Sequence, residues 1–289
     1  MFEGTFVAIV TPFKNNKVDY DAYEKLLEMQ IKAGNGIVPC GTTGESATLS
    51  YEEHSEVIKF TVDIVKKRVP VIAGTGSNST KEALELTKEA EKIGADAALL
   101  ISPYYNKPNQ KGIYEHYKYI AENVNIPMIL YNVPGRTARN IEAETTIALS
   151  KIKNIVGIKE ASGDLVQASK IIKETDKSFV VLSGEDALTY FIMTIGGKGV
   201  ISVTANVMPE KVNQMVSYAL KGNFEEAKKL HLELLELSKV MFIDTNPIPV
   251  KETLALMGLI SNELRLPLTN LSDDNREKLK KVLKSYNII

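Results

Sequence analysis

The chain is short of several features that would mark a special class of protein. It has one cysteine and no tryptophan among its 289 residues, so an internal disulfide framework is excluded. Its 35 lysines and arginines balance 36 aspartates and glutamates, and the net charge of −1 gives no basic surface for nucleic acid or an anionic membrane. No apolar run approaches the roughly 20 residues that a membrane-spanning helix needs. We therefore expect a globular protein, and the single cysteine fits a reducing compartment such as the cytoplasm.

Short apolar runs alternate with segments of helical periodicity along most of the chain. Residues 1–5 contain no basic segment followed by an apolar one, so we expect them to lead into a first strand and not to form a signal peptide. The apolar runs predict strands over residues 6–10, 37–40, 69–73, 97–101, 127–132, 155–160, 179–182 and 199–203. The periodic segments predict helices over residues 18–32, 51–67, 80–93 (with Thr80 as N-cap), 112–123, 142–151, 165–173, 187–195 and 209–220.

This alternation predicts the fold class and the division of the chain. Strand–helix alternation favours parallel βαβ units, and eight such units favour a closed (β/α)₈ barrel of the α/β class. A doubly wound open sheet is the alternative, but no G-x-G-x-x-G fingerprint follows the first predicted strand. The remaining residues predict only helices, over 224–240, 249–259 and 273–286. We therefore expect a barrel over residues 1–222 and an all-helical region over residues 223–289.

Chemically distinctive residues recur where the predicted strands end. In a (β/α)₈ barrel the active site lies at the carboxyl ends of the strands, so these side chains should converge. They are Thr42 and Thr43 after the second strand, Tyr104 and Tyr105 after the fourth, Tyr131 and Arg136 at and after the fifth, Lys159 at the end of the sixth and Gly184 after the seventh.

Lys159 is the most informative of them. At the end of a buried strand its ammonium would be desolvated, which disfavours the charged form and leaves a neutral amine that can attack a carbonyl carbon. The alternative is a lysine that only extends to water. Imine chemistry also moves protons, and Tyr131 on the neighbouring strand is the best candidate acid and base, unless it only packs inside the barrel.

Other polar residues permit weaker assignments. The loop of residues 41–44 can aim backbone N–H groups at an anion, although most such loops are only turns. Arg136 offers a fork for a carboxylate, the alternative being a surface ion pair. No metal site is predicted, because His54, His116 and His231 have no partner ligands nearby in sequence, and Cys40 is expected to pack in its strand.

Several motifs together resemble one family over essentially the whole chain. The segments are 41–46 (GTTGES), 103–108 (PYYNKP), 131–137 (YNVPGRT), 157–161 (GIKEA), 201–206 (ISVTAN) and 246–251 (NPIPVK). They resemble the 4-hydroxy-tetrahydrodipicolinate synthase (dihydrodipicolinate synthase) family, within the pyruvate-dependent Schiff-base aldolases. The resemblance implies a lyase that condenses pyruvate with L-aspartate-4-semialdehyde without a cofactor, at the first committed step of diaminopimelate and lysine biosynthesis.

The resemblance also implies roles for individual residues. Lys159 would form the imine with pyruvate, and Tyr131, Thr42 and Tyr105 would relay protons, Tyr105 crossing from a neighbouring subunit of a homo-oligomer, expected to be a tetramer of two tight dimers. Arg136 would take the semialdehyde's carboxylate. The pyruvate site would be formed by Thr43, the backbone of Ile201 and Gly184.

In lysine-sensitive members of the family, lysine binds at the tight-dimer interface. Tyr51 stands where the sensitive members carry a histidine, which removes a cation and adds bulk, so we expect weak or absent inhibition here. The corresponding residues of this chain are Ser46, Ala47, Tyr51, His54, Asn78, Glu82 and Tyr104.

Two other functions remain open from the residues alone. A sister aldolase, acting on N-acetylneuraminate or a keto-deoxy sugar, would keep Lys159 and Tyr131 but would not be expected to carry Arg136. A non-catalytic barrel that senses a small acid would have no use for a desolvated amine.

Overall fold

A ring of eight parallel strands forms the centre of the molecule. The computed structural model describes residues 2–289, and Met1, which the predicted barrel included, lies outside them. At least one helix follows each strand of the ring before the next begins, as the prediction requires. The strands are β1 (Gly4–Ala8), β2 (Gly36–Val38), β3 (Ile72–Gly74), β4 (Ala97–Ile101), β5 (Met128–Asn132), β6 (Ile155–Glu160), β7 (Val180–Ser183) and β8 (Gly199–Ser202).

Helices surround this ring, and further helices follow it. The predicted barrel with a helical extension is confirmed. The barrel helices are α1 (Tyr20–Lys32), α2 (Tyr51–Val65), α3 (Thr80–Ile93), α4 (Gln110–Ala121), α5 (Ala143–Leu149), α6 (Leu165–Glu174), α7 (Thr189–Thr194) and α8 (Pro209–Leu220), and the C-terminal helices are α9 (Phe224–Val240), α10 (Ile248–Leu256) and α11 (Asp273–Ser285). Among residues 2–289, no helix is both long and apolar enough to cross a membrane.

The strands pair in sequence order around the ring. β8 pairs with β1, so the sheet runs from β2 through β1 and β8 back to β3. A parallel bridge between Ile37 and Val71 joins β2 to β3 and closes the barrel. This last join is the shortest, since every other neighbouring pair has at least two residue pairs in register. Pro39 and Pro70 flank it and have no N–H to donate.

Most differences from the predicted elements lie at their ends. Helix α1 begins at Tyr20 and not at residue 18, because Lys17–Val18 pairs with Phe13–Lys14 in a small hairpin that the prediction missed. The N-cap of α3 is Ser79 and not Thr80, since the Ser79 hydroxyl accepts the Glu82 N–H. The helix predicted over residues 187–195 is instead a 3₁₀ turn, Asp186–Leu188, followed by α7.

Apolar side chains fill the barrel and bind the C-terminal helices to it. Phe6, Leu182 and Ile201 belong to the cluster inside the ring. Leu234 on α9 and Leu254 on α10 belong to the large cluster between the ring and the helices around it. The extension therefore packs against the barrel, and a boundary at residue 222 stays a prediction.

Candidate active site

A cavity of about 870 Å³ opens at the carboxyl ends of the strands. It lies where the barrel fold places active sites. Most of the side chains proposed to act on substrate border it together, although they come from distant parts of the chain. They are Thr42, Thr43, Tyr131, Arg136, Lys159 and Gly184.

Lys159 and Tyr131 face each other across neighbouring strands. Parallel register pairs the two residues, so both side chains point into the barrel. The Lys159 Nζ atom lies 4.3 Å from the centroid of the Tyr131 ring. Both residues are buried, with 6% and 8% of their surfaces exposed. The alternative in which Lys159 only extends to water does not describe this buried position.

The residues beside Lys159 leave room for its side chain. A Cβ atom on Gly184 would lie 2.7 Å from the Ala161 Cβ atom and 3.0 Å from the Lys159 Cε atom, so only glycine fits there without a shift. Glu160, next in the strand, points to the other face, where its carboxylate accepts hydrogen bonds from Asn132 Nδ2 at 3.1 Å and from Gln167 Nε2 at 3.0 Å. Alternation along β6 thus gives Lys159 to the cavity and Glu160 to the helix layer.

The loop after β2, Gly41–Ser46, is here called the threonine loop. Thr43 is buried, and its Oγ1 accepts a hydrogen bond from Asn246 Nδ2 at 3.0 Å. Cys40 is buried as predicted, but it lies past the end of β2 and not in the strand. Its φ is 54°, just before the loop, and Glu45 within the loop has φ of 51°, so two non-glycine residues hold left-handed backbone here. Asn246 was missed as a site residue, although it begins the quoted NPIPVK motif.

Arg136 lies at the rim of the cavity on a short helix, Pro134–Thr137. One of its guanidinium N–H groups donates to the Asn246 carbonyl at 3.2 Å. The salt bridges found among residues 2–289 do not include Arg136, which contradicts the surface-ion-pair alternative. Its fork therefore remains available to an anion.

Glu185 borders the cavity and was not singled out from the sequence. Partial burial raises the pKa of its carboxyl, the Asp186 charge adds to that rise, and the Lys159 ammonium opposes it. Its position next to Gly184, just past the end of β7, was the available signal.

Two of the residues predicted for the active site do not border the cavity within this chain. Tyr105 is 88% exposed, and Ile201 is buried among the side chains inside the ring. Tyr105 can therefore reach an active site only if the loop moves or if the site belongs to another subunit.

The residues of the expected effector site divide in the same way. Ser46, Ala47, His54, Glu82 and Tyr104 border the cavity, whereas Tyr51 and Asn78 do not.

Glu82, in this set, already has partners for both carboxylate oxygens. The Tyr51 hydroxyl donates to Oε1 at 2.5 Å, and the Ser77 hydroxyl donates to Oε2. These two bonds, that from Ser77 first, lower the pKa of Glu82, and the bond to Glu82 raises the pKa of Tyr51 to about 12.

The histidines hold ordinary structural positions. Burial lowers the pKa of His54, whose Nε2 lies 2.9 Å from the Gly74 carbonyl, and lowers the pKa of His116 to about 4. His231 stacks on Tyr190 with the ring centroids 5.4 Å apart. Among residues 2–289, no three His, Cys, Asp or Glu side chains are grouped to hold a metal ion.

A barrel with a buried lysine over a tyrosine at its strand ends is the arrangement expected of a Schiff-base aldolase. A statistical model of the Dihydrodipicolinate synthetase family matches residues 1–286, and the chain belongs to this family. Among curated relatives, the 4-hydroxy-tetrahydrodipicolinate synthase of Thermodesulfovibrio yellowstonii is 57% identical over 290 residues, covering 100% of both chains.

Solved structures agree with this membership. The chloride-inhibited dihydrodipicolinate synthase of Acinetobacter baumannii, complexed with pyruvate, is 48% identical with a TM-score of 0.98 over 100% of both chains. A protein described as the first monomeric dihydrodipicolinate synthase variant is 44% identical with a TM-score of 0.98, over 100% of this chain and 98% of that one.

Proposed function

We propose that this protein is a 4-hydroxy-tetrahydrodipicolinate synthase. This lyase condenses pyruvate with L-aspartate-4-semialdehyde, the first committed step of diaminopimelate and lysine biosynthesis. The observation that carries the proposal is the buried Lys159 amine, 4.3 Å from the Tyr131 ring centroid at the cavity. The relatives named above, with 57% and 48% identity, support the choice of reaction and of pyruvate. No metal or organic cofactor is needed, because the lysine imine itself accepts electrons.

The proposed mechanism begins with pyruvate. The Lys159 amine attacks the ketone carbon, and water leaves to give an imine. Tyr131, with Thr42 and Tyr105, carries a proton to the leaving hydroxyl and later removes one from the methyl carbon, so that the imine becomes an enamine. Thr43 and Gly184, which border the cavity, would receive the pyruvate carboxylate. The backbone of Ile201 is expected to line the same site, although Ile201 does not border the cavity within this chain.

The second substrate then reacts at its aldehyde. The enamine carbon attacks the aldehyde carbon, which restores the imine, and the aldehyde oxygen takes up a proton to become a hydroxyl group. Arg136 holds the carboxylate of the semialdehyde. The substrate's own amine next attacks the imine carbon, which closes the ring and releases Lys159. The ring is thus closed by two new bonds between the substrates, one carbon–carbon and one carbon–nitrogen, and the lysine returns unchanged.

Substrate comparison tests this proposal directly. The purified protein should condense pyruvate with aspartate semialdehyde and should not cleave N-acetylneuraminate or keto-deoxy sugars. Preferred cleavage of a sugar acid would favour a sister aldolase. Binding of pyruvate without imine formation or turnover would favour a non-catalytic barrel that senses a small acid.

Arg136→Ala should impair use of the semialdehyde far more than imine formation with pyruvate. Loss of a charge-assisted contact costs about 1.5–3 kcal/mol, or roughly one to two decades in kcat/KM. Steady-state kinetics with each substrate varied, together with borohydride trapping of the imine, measures both effects. Arg139→Ala, a neighbouring arginine whose guanidine donates to the Lys107 carbonyl, is the matched control. Equal losses for both substrates would show that Arg136 holds the loop and not the second substrate.

We further propose a homo-oligomer, expected to be a tetramer of two tight dimers. The support is Tyr105, which is 88% exposed although it has a predicted catalytic role. A large aromatic side chain at a loop tip is better placed in an interface than in water. The monomeric variant among the solved relatives makes a direct test necessary.

Mixing two inactive variants supplies that test. Lys159→Arg lacks the amine and Tyr105→Ala lacks the crossing tyrosine, so a hybrid dimer contains one complete site. An equal mixture of the two should regain about a quarter of the parental activity after subunit exchange. No recovery in hybrids confirmed by native mass spectrometry, or full activity of a monomer in sedimentation, would contradict the proposal. Tyr119→Phe, at a tyrosine that is 52% exposed, is the control.

Millimolar lysine should inhibit weakly or not at all. The Tyr51 hydroxyl donates to Glu82 Oε1 at 2.5 Å, so an effector ammonium would have to displace this bond. Allosteric coupling is typically only about 1–3 kcal/mol, so one such competing contact is enough to weaken it. Tyr51→Phe should increase sensitivity to lysine in initial-rate assays, whereas Tyr119→Phe should not. Strong inhibition of the parent at submillimolar lysine would contradict this expectation.

The remaining expectations are proposals as well. The synthase reaction uses two small metabolites and no membrane or nucleic-acid partner, which supports a cytoplasmic location. The barrel over residues 1–222 carries Lys159, Tyr131 and the threonine loop, and residues 223–289 form a supporting region.

A further inference from the structure

A buried ion pair connects the threonine loop to the C-terminal helices. Glu45 lies at the end of the loop and Lys251 lies on α10, and their side chains are 1% and 0% exposed. The Lys251 Nζ atom is 2.5 Å from Glu45 Oε1. Removing two charges from water is costly, and such a pair can often be replaced by apolar residues without loss of stability. Stability alone is therefore a poor explanation for this pair.

The surroundings fix the pair in one geometry. Lys251 Nζ also donates to the Thr11 carbonyl at 3.0 Å and lies 4.3 Å from the centroid of the Phe13 ring. The second oxygen of Glu45 accepts the Arg265 backbone N–H at 3.1 Å. The carboxylate is thus held at both oxygens by groups outside its own loop, and it cannot shift without breaking a buried hydrogen bond.

The contacts of the Glu45 carboxylate restrain a disfavoured conformation of the Glu45 backbone. Glu45 has φ of 51° and ψ of 37°, a left-handed conformation that a residue with a Cβ atom rarely adopts. Glutamate lacks the short side chain that lets Asn and Asp tolerate this region. The contacts at the end of its side chain therefore hold the Glu45 backbone where that residue alone would not remain.

The same C-terminal segment also contacts the groups proposed to bind substrate. Asn246 Nδ2 donates to Thr43 Oγ1 at 3.0 Å, and the Asn246 carbonyl accepts from Arg136 at 3.2 Å. Lys251 lies five residues further along this segment. The segment thus links the threonine loop, after β2, with the short helix that carries Arg136, after β5.

We propose that Glu45 and Lys251 are positioning residues for the threonine loop. The pair holds the left-handed end of the loop so that Thr43 faces the pyruvate carboxylate and Thr42 joins the proton relay. This role rests on the proposed function. It concerns two buried side chains, that of Glu45, a residue that borders the cavity, and that of Lys251, which does not border it. A loop displaced by about 1 Å can reduce turnover a hundredfold without unfolding the protein.

Glycine at position 45 separates positioning from stability. Lys251→Met alone leaves a buried carboxylate without its partner, so the double variants carry the test. Lys251→Met/Glu45→Gln removes both charges but keeps a Cβ at position 45. Lys251→Met/Glu45→Gly also lacks the pair, but glycine adopts the left-handed conformation without a steric penalty. Lys59→Met, which removes an exposed lysine paired with Asp63 on α2, is the matched control.

Kinetics and thermal unfolding of the full chain decide between the two roles. The glutamine double variant should melt within a few degrees of the parent, and its KM for pyruvate should rise at least about tenfold. The glycine double variant should recover to within about threefold of the parental KM and kcat. The Lys59→Met control should match the parent in both measurements.

Three results would overturn the inference. They are parental kinetics in the glutamine double variant, no improvement on changing glutamine to glycine, and failure of the glutamine double variant to fold. The last would mean that the pair holds the barrel and not the loop. Failure of the proposed function itself would be seen in the parent, which would then not condense the two substrates, so the two failures are distinguishable.

Discussion

Lys159→Arg is expected to lower kcat for condensation at least about a thousandfold. Guanidinium stays protonated at any pH the protein survives, so it cannot attack the ketone carbon of pyruvate. The position also has little room for a larger group, because Lys159 is 6% exposed and lies against the Tyr131 ring. Lys159→Met, which is close in shape, separates the loss of the amine from crowding.

Covalent trapping identifies the nucleophile independently of turnover. After incubation with pyruvate and borohydride, the parent should carry a stable adduct on the peptide that contains Lys159. Neither variant at this position should carry it, and Lys59→Arg, at an exposed lysine, should be labelled like the parent. A label on a different lysine, or an unlabelled parent that still turns over, would rule out the mechanism.

Tyr131→Phe should lower kcat by about 10² to 10⁴, the range that a positioned acid or base contributes. Phenylalanine keeps the ring beside the Lys159 amine, where the ring centroid lies 4.3 Å from Nζ, and removes only the hydroxyl. The melting temperature should therefore change little. Imine formation with pyruvate and proton removal from the methyl group of that imine should both slow.

Two readouts make the assignment specific. The rate at which trappable imine appears should fall with kcat, and exchange of pyruvate methyl protons with deuterated water should fall as well. Tyr119→Phe, which removes an exposed hydroxyl, should leave both rates unchanged. Normal exchange in Tyr131→Phe would show that another group moves the proton.

The sequence was sufficient where a local pattern and the fold require the same thing. Strands β4 and β6 have the predicted bounds, because each is an apolar run between polar turns. The barrel rule then placed Lys159 and Tyr131 on the same end of the sheet, and their register confirms that they face the same side. Periodicity and one fold rule were thus enough to predict that Lys159 and Tyr131 lie together at the candidate site, without any long-range information.

The hairpin before α1 had a local signal that the prediction did not use. Asn15 and Asn16 have φ of 54° and 59°, as a tight two-residue hairpin turn requires, and asparagine is the residue that tolerates this best after glycine. The pairing of Phe13–Lys14 with Lys17–Val18 followed from that turn. Val18 fits the helical spacing of the residues that follow it, but it belongs to the hairpin and not to the helix.

Other contacts of the site could not be predicted from local patterns, although Asn246 and Lys251 lie in the quoted motif of residues 246–251. Asn246 meets Thr43 across 203 positions of the chain, and Lys251 meets Glu45 across 206. Neither contact follows from periodicity, because each depends on how α10 and the residues before it dock on the barrel. Tyr105 is harder still, since the partner it is expected to meet belongs to another copy of the chain.

Because a single bridge joins β2 to β3, we expect the barrel to open more easily between these two strands than between any other pair. A closed sheet is expected to part first where two strands pair over the shortest length, and β2 and β3 are joined by one bridged pair, Ile37 with Val71. The threonine loop follows β2. The residues expected to bind the pyruvate carboxylate therefore lie next to the shortest strand pairing of the barrel. A substrate bound to both Thr43 and Lys159 would connect β2 with β6 across the ring. Occupancy of the site would then stiffen the seam, and the amide of Gly74, which bonds to the Pro39 carbonyl, would report it by slower hydrogen exchange.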